Sequence, residues 1–207
     1  MAYLILIRHG ESQWNAKGLW TGLTDVSLTE KGKEEAVKAG NAISDITIDQ
    51  VYTSPLKRAK ETYEEIKKVL KLDVPTTENV ALNERDYGDL TGKNKWEMKE
   101  KYGEEQFLKW RRSWDSPIPN GETLKDVCAR VLPYYESNIL PLLKQGKNVL
   151  VVAHGNSLRA IIKHVEGISE KEIPKLEFGT GSIYLYQFDE KGDMLDKQVR
   201  AKNTNVA

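Results

Sequence analysis

The chain has 207 residues, 30% of them charged, and its 31 basic and 31 acidic side chains cancel to a formal net charge of zero. That balance provides no bulk attraction to nucleic acid or to an acidic membrane surface, and the single cysteine, Cys128, excludes an internal disulfide and multi-cysteine metal sites. Apolar runs too short to cross a membrane and an N-terminus without a basic leader predict a cytoplasmic protein, large enough for one cored domain over 1–207.

Strand-like and amphipathic segments alternate along the chain. Tyr3–Arg8 is a short aliphatic run and reads as a buried strand. Ser27-Leu28-Thr29 offers a hydroxyl N-cap for a helix over 30–44. A strand is predicted at 50–53, a helix at 56–70 and a strand at 76–80. From 92 to 116 the chain is rich in Lys, Glu, Trp and Arg without strand periodicity, and reads as a helical insertion carried over the strand ends. A long helix is expected over 122–142, kinked or restarted at Pro133. A strand at 148–153, a helix at 157–165, a strand at 183–188 and an edge strand near 194–199 follow, then a small polar tail, 200–207, expected to be mobile. No repeats or low-complexity linkers interrupt the series. The alternation predicts an α/β fold, a three-layer α/β/α sandwich around a mostly parallel central sheet.

Two of the predicted strands end alike, at Arg8-His9-Gly10-Glu11 and at Ala153-His154-Gly155-Asn156-Ser157. Buried parallel strands present their carboxyl ends to ligands, and glycine after each histidine allows a sharp turn and a close approach. The chain has only three histidines, so two in this setting point to one site. A neutral imidazole nitrogen can accept a phosphoryl group, and a backbone carbonyl at the Gly10 turn would fix the ring tautomer. Arg8 and Arg58 supply planar forks for phosphate oxygens.

Arg8-His9-Gly10 resembles the signature of the histidine phosphatase superfamily, and the run Arg8 to Asn15 resembles the bisphosphoglycerate-dependent phosphoglycerate mutases. The similarity continues in order through Trp20–Asp25, Thr53–Ala59, Leu82–Gly88, Asn94-Lys95, Lys101–Glu105, Trp110-Arg111-Arg112 and His154–Arg159. It implies a phosphoglycerate mutase-like fold and interconversion of 3- and 2-phosphoglycerate through a phosphohistidine at His9, primed by 2,3-bisphosphoglycerate and without metal. It implies catalytic roles for Arg8, His9, Arg58, Glu84 and His154, with Glu84 as general acid and base. Lys95, Arg111 and Arg112 would hold the rest of the substrate, with Ser12, Asn15, Thr21, Gly22, Tyr87, Gly155 and Asn156 as hydrogen-bonding or close-backbone contacts. The implied partner is a small phosphoglycerate, not nucleic acid or membrane, and a homo-oligomer is left open.

Two alternatives stay open at this level: a histidine phosphatase acting on other phosphomonoesters, and a non-catalytic phosphate-binding module. Lys95 and the Arg111-Arg112 pair speak against the first, and Glu84 against the second. The chain departs from the family pattern at Asp86, where histidine is usual, at Leu23, where tryptophan is usual, and in Phe178-Gly179-Thr180-Gly181-Ser182. It also runs directly from Pro119 to Asn120 without a longer loop. Whether burial raises the pKa of Glu84 or the arginines lower it is not decided by the residues alone.

Overall fold

A computed structural model describes residues 1–201. The elements in order are β1 (Ala2–Arg8), α1 (Gln13–Ala16), α2 (Glu30–Ala42), β2 (Gln50–Thr53), α3 (Lys57–Leu70), β3 (Thr76–Glu78), α4 (Lys95–Arg112), α5 (Leu124–Tyr134), α6 (Leu140–Lys144), β4 (Val149–Ala153), α7 (Gly155–Val165), β5 (Ile183–Phe188) and β6 (Met194–Ala201). The strands form one sheet in the order β3-β2-β4-β1-β5-β6. β1 pairs with β4, and β2 with both β4 and β3, in parallel. β5 runs antiparallel to β1 and β6, so the predicted α/β sheet is mostly parallel, with the reversed direction confined to one side.

β1 and β4 read as unbroken apolar runs because helices cover both faces of the sheet. Leu4, Leu6, Val149 and Val151 pack with Val127 and Val131 of α5 and Leu158 and Ile161 of α7. The alternate residues Ile5, Ile7, Leu150 and Val152 pack with Ala39, Ile43, Tyr63 and Ile66 on the α2–α3 side. Each of these β1 side chains is fully buried, and truncating one to alanine costs about 2–5 kcal/mol.

Helix starts follow local chemistry. The Thr29 side chain accepts the Gly32 N–H at the head of α2, and Thr123 and Asp126 form a reciprocal capping box on α5. The predicted helix over 122–142 is divided. Pro133 lies inside α5, and the next turn, Tyr135–Ile139, widens to π geometry, as expected when a proline removes a helical N–H and crowds the preceding turn. Ser137 Oγ and Asn138 Nδ2 donate to the carbonyls of Pro133 and Tyr134 at 2.7 and 3.1 Å. Smaller differences are a β3 that stops at Glu78, followed by a 3-10 turn over Val80–Leu82, and an α7 that begins at Gly155.

The segment between 92 and 116 contains α4, bent at Gly103 where φ is 82° and ψ 162°. Its Phe107 packs with Trp20, Leu90 and Ile118 in a small aromatic cluster joined by Tyr87, Met98 and Trp110. Arg200 and Ala201, expected to open a mobile tail, belong instead to β6, where the Arg200 guanidinium engages Asp45 and the Ala42 carbonyl. The remainder of that segment, 202–207, lies outside the described residues.

Candidate active site

The parallel register sets Arg8 opposite Ala153, so the residues after each stand side by side. His9 N–H donates to the Ala153 carbonyl at 3.0 Å, and the His9 and His154 ring centroids are 5.0 Å apart. Glycine is required at position 10: a Cβ there would lie 2.2 Å from the Gly32 carbonyl oxygen at the head of α2. The turn brings the Gly10 carbonyl to 2.7 Å from His9 Nδ1. A carbonyl only accepts, so Nδ1 carries the proton. Burial, reinforced by Arg58 and Arg8 and opposed by the Gly10 hydrogen bond, holds the His9 pKa well below the usual histidine range. The ring is neutral, and Nε2 keeps its lone pair. His154 is likewise held neutral by burial, Arg58 and His9, and both its ring nitrogens are buried with no hydrogen-bond partner in the protein.

The cations around these rings are tethered by backbone carbonyls, and Glu84 is the anion that offsets their charge. Arg8 Nη1 donates to Phe178 O at 2.7 Å, and its buried Nε has no protein partner. Arg58 donates to Thr24 O at 2.9 Å and Gly22 O at 2.8 Å. Burial, with Arg8 acting the same way and Glu84 opposing, lowers Arg58 to about 10, so it remains cationic at neutral pH.

Glu84 is fully enclosed yet ionised. Its Oε1 accepts from Arg85 N, Asn156 N and Asn156 Nδ2 at 2.8, 3.1 and 3.0 Å. Burial alone would raise its pKa, but Arg8, the Arg85 N–H, Arg58 and Asn156 together outweigh it and hold the carboxyl below the usual range. The arginines therefore win the competition left open by the sequence. Oε2 faces Gly155, where an added Cβ would sit 3.5 Å from it and 3.4 Å from Arg8 Cζ.

Lys95, the first residue of α4, is buried beside Arg111. Burial, Arg111 and Arg8 push its pKa down to about 7. Arg111 and Arg112, at the last turn of α4, share its pocket. Of the predicted residues, Arg8, His9, Asn15, Thr21, Arg58, Glu84, Tyr87, Lys95, Arg111, Arg112, Gly155 and Asn156 line that pocket. The other three adjoin its lining residues. Ser12 caps α1 and binds Asn15, Gly22 supplies a carbonyl to Arg58, and the His154 ring meets the His9 ring edge-on.

Several contributors lie outside the predicted set. Arg159 donates to Asn156 Oδ1 at 3.0 Å and to the carbonyls of Arg112 and Ile173, which fixes the Asn156 amide so that its NH2 points to Glu84 and to Tyr87 Oη. Arg130 holds the turn carrying Glu84, donating to the carbonyls of Ala81, Asn83 and Glu84 at 2.7, 3.1 and 3.0 Å while bidentate to Glu122. Trp20 and the segment Leu176–Phe178 also line the pocket, and Glu177 pairs with Arg112. A usable signal existed for Arg159, a lone arginine among Leu158, Ala160, Ile161 and Ile162. Two of the departures lie off the pocket lining, where the Asp86 carboxylate accepts Gly88 N–H at 2.8 Å and Leu23 is exposed, whereas Phe178 lines the pocket. Among the described residues no group of three His, Cys, Asp or Glu side chains is placed to hold a metal ion, and no helix is long and apolar enough to cross a membrane.

The constellation can bind a phosphoryl group among arginines, present an imidazole lone pair to it and move a proton through one carboxylate. Known proteins resemble the chain over nearly its whole length. The chain is 48% identical over 194 residues to a protein of Cytophaga hutchinsonii described as a 2,3-bisphosphoglycerate-dependent phosphoglycerate mutase, covering 94% of this chain and 91% of that one. It is 50% identical over 199 residues to a Chelativorans protein of the same description, covering 95% and 97%. Among solved structures it resembles Bacillus stearothermophilus YhfR, with a TM-score of 0.81 at 26% identity over 100% of this chain and 98% of that one. A mycobacterial hydrolase gives a TM-score of 0.82 at 21% identity, over 98% and 100% of the two chains, a likeness of fold. The family model of the histidine phosphatase superfamily (branch 1) matches residues 4–200, and the chain belongs to that superfamily.

Proposed function

We propose that this chain is a cytoplasmic phosphoglycerate mutase that interconverts 3-phosphoglycerate and 2-phosphoglycerate through a phosphohistidine at His9. The observation that carries this reading is the number of cations lining one pocket: Arg8 and Arg58, which act on the His9 ring, and Lys95, Arg111 and Arg112, which α4 adds. A phosphatase needs only the first group. A ligand with anions at both ends needs both, and a mutase must grip its intermediate while water is kept out.

His9 Nε2 attacks phosphorus while Arg8 and Arg58 stabilise the charge spread over the equatorial oxygens, and the one N–H of neutral His154 is free to donate to the same group. In the half-reaction that starts from phosphorylated His9, the substrate hydroxyl oxygen bonds to phosphorus, the P–N bond breaks, and Glu84 takes the hydroxyl proton. When the other phosphoryl group passes to His9, the P–O bond breaks and Glu84 returns that proton to the leaving oxygen. The cycle is proton-balanced, and one carboxylate acts as base and then as acid. The low pKa of Glu84 in the free protein suits the first role, and a bound phosphate anion offsets the arginines and raises it for the second.

The pocket fits 2,3-bisphosphoglycerate. Arg8 Nε, Thr21 Oγ1 and the His154 ring nitrogens are buried polar atoms without protein hydrogen-bond partners, and the five cations lining the pocket suit a ligand with two phosphates. Arg8, Arg58, Lys95, Arg111 and Arg112 would hold it. When bound it supplies the phosphoryl group that primes His9. The test is to assay both phosphoglycerate isomers with and without bisphosphoglycerate and with a metal chelator. Interconversion that requires bisphosphoglycerate and survives chelation supports the proposal, whereas release of inorganic phosphate without isomer exchange makes the chain a phosphatase.

A further inference from the structure

The carboxylate of Glu177 lines the pocket next to the cations that α4 contributes. It pairs with the Arg112 guanidinium, its charge reaches Arg111, and it sits in the segment Leu176–Phe178 that forms one wall of the pocket. That wall is pinned, because Arg8 Nη1 holds the adjoining Phe178 carbonyl at 2.7 Å. Arg112 is pinned from the other side, since its own carbonyl accepts from Arg159 at 3.1 Å. The pair itself is half open to solvent, with side-chain exposures of 24% for Arg112 and 37% for Glu177.

We propose that Glu177 is a specificity-determining residue whose carboxylate holds Arg112 in the free protein and is exchanged for the carboxylate of the substrate. This rests on the mutase reading in one respect, that Arg112 receives that carboxylate. An ion pair open to water contributes little and is readily traded, whereas a ligand carboxylate already positioned by its phosphate among Arg8 and Arg58 meets the guanidinium fork without further loss of freedom. Glu177 then turns to solvent. A phosphate ester without a carboxylate has nothing to trade, and leaves the pair closed. The pocket thereby keeps Arg112 from capturing small stray anions while yielding it to a ligand anchored at both ends.

The test is a pair of titrations, with 3-phosphoglycerate and with glycerol 3-phosphate, on wild type, Glu177→Gln, Arg112→Met and the double variant. Removing the internal competitor should raise the affinity for 3-phosphoglycerate relative to glycerol 3-phosphate by about 1.5- to 5-fold, the range for an exposed pair. That gain should vanish in the Arg112→Met background. A ratio that stays level overturns the proposal. So does a ratio that falls, which would make Glu177 a support that positions Arg112, or a gain that persists without Arg112. Isomer exchange is measured on the same wild-type preparation: its absence would defeat the mutase reading, while the affinity ratio still decides the role of Glu177.

Discussion

Replacing Glu84 with glutamine separates proton transfer from phosphate binding, and the surroundings fix what the change does. The amide oxygen can occupy the place of Oε1 and keep the three N–H donors at 2.8–3.1 Å. The amide NH2 then takes the place of Oε2, next to Gly155 and the Arg8 guanidinium, where it can neither accept nor release the reacting proton. Loss of general acid and base catalysis should lower kcat for phosphoglycerate by about 100- to 10,000-fold, equivalent to roughly 3–5 kcal/mol of barrier. Affinity for the phosphate should hold or increase, because Arg8 and Arg58 lose the anion that opposed them. The free protein should melt at a lower temperature, since two buried cations are left without their carboxylate, and added phosphate should restore much of that loss. The decisive comparison uses p-nitrophenyl phosphate, whose leaving group needs no proton. Transfer to His9 from that ester, followed as a burst of nitrophenolate, should fall by less than about 10-fold. An equal loss with both substrates would refute the reasoning and make Glu84 a structural carboxylate.

Other perturbations read out neighbouring parts of the site. Arg58→Ala should cripple transfer to His9, whereas Arg111→Ala or Arg112→Ala should raise KM and the share of turnover lost to hydrolysis; an unchanged hydrolytic share, measured as phosphate release against isomer exchange, contradicts their role in retention. Lys95, lowered to about 7 from 10.5, should take up a proton when an anion binds above pH 7, seen as a dependence of calorimetric binding heat on the buffer's ionisation enthalpy that Lys95→Met abolishes. For the same group the unfolded chain holds the extra proton between about pH 7 and 10, so its contribution to stability becomes less unfavourable as pH rises through that window. Arg130→Met frees the carbonyls of Ala81, Asn83 and Glu84, and should reduce kcat for phosphoglycerate more than burst transfer from the nitrophenyl ester; equal losses would mean only general unfolding. Gly10→Ala, with its Cβ 2.2 Å from Gly32 O, should cost about 1–3 kcal/mol, checked as a fall in denaturation midpoint.

What was legible in the chain, and what was not, follows from how each feature is encoded. β1 and β4 announce themselves because burial on both faces removes every polar residue from Leu4–Ile7 and Val149–Ala153. The meeting of His9 and His154 was readable because each follows such a strand and precedes a glycine. The interruption after Pro133 was foreseeable, but its form, a π turn closed by Ser137 and Asn138, depends on side-chain bonds that leave no periodic trace. α4 has a weak apolar pattern because only Phe107 and a few aromatic neighbours fasten it to Trp20. Arg130, Arg159 and Glu177 escaped notice for a common reason. A charged side chain on a helix or loop of a highly charged chain reads as solvated, and only contacts distant in sequence reveal that Arg130 reaches the Glu84 turn and Arg159 the carbonyls of Arg112 and Ile173. Ser12 and Gly22 show the converse: both stand at the site, but they support Asn15 and Arg58 and do not face the ligand pocket.

The central claim is that the neutral Nε2 of His9 becomes covalently phosphorylated, and it is tested most directly by incubating the protein with 2,3-bisphosphoglycerate and mapping the label by intact mass and peptide analysis. The account predicts one phosphoryl group per chain on His9, labile in acid and stable in base, and discharged by added phosphoglycerate. A label on His154 or on a serine, or none on protein that is active as a mutase, would contradict it.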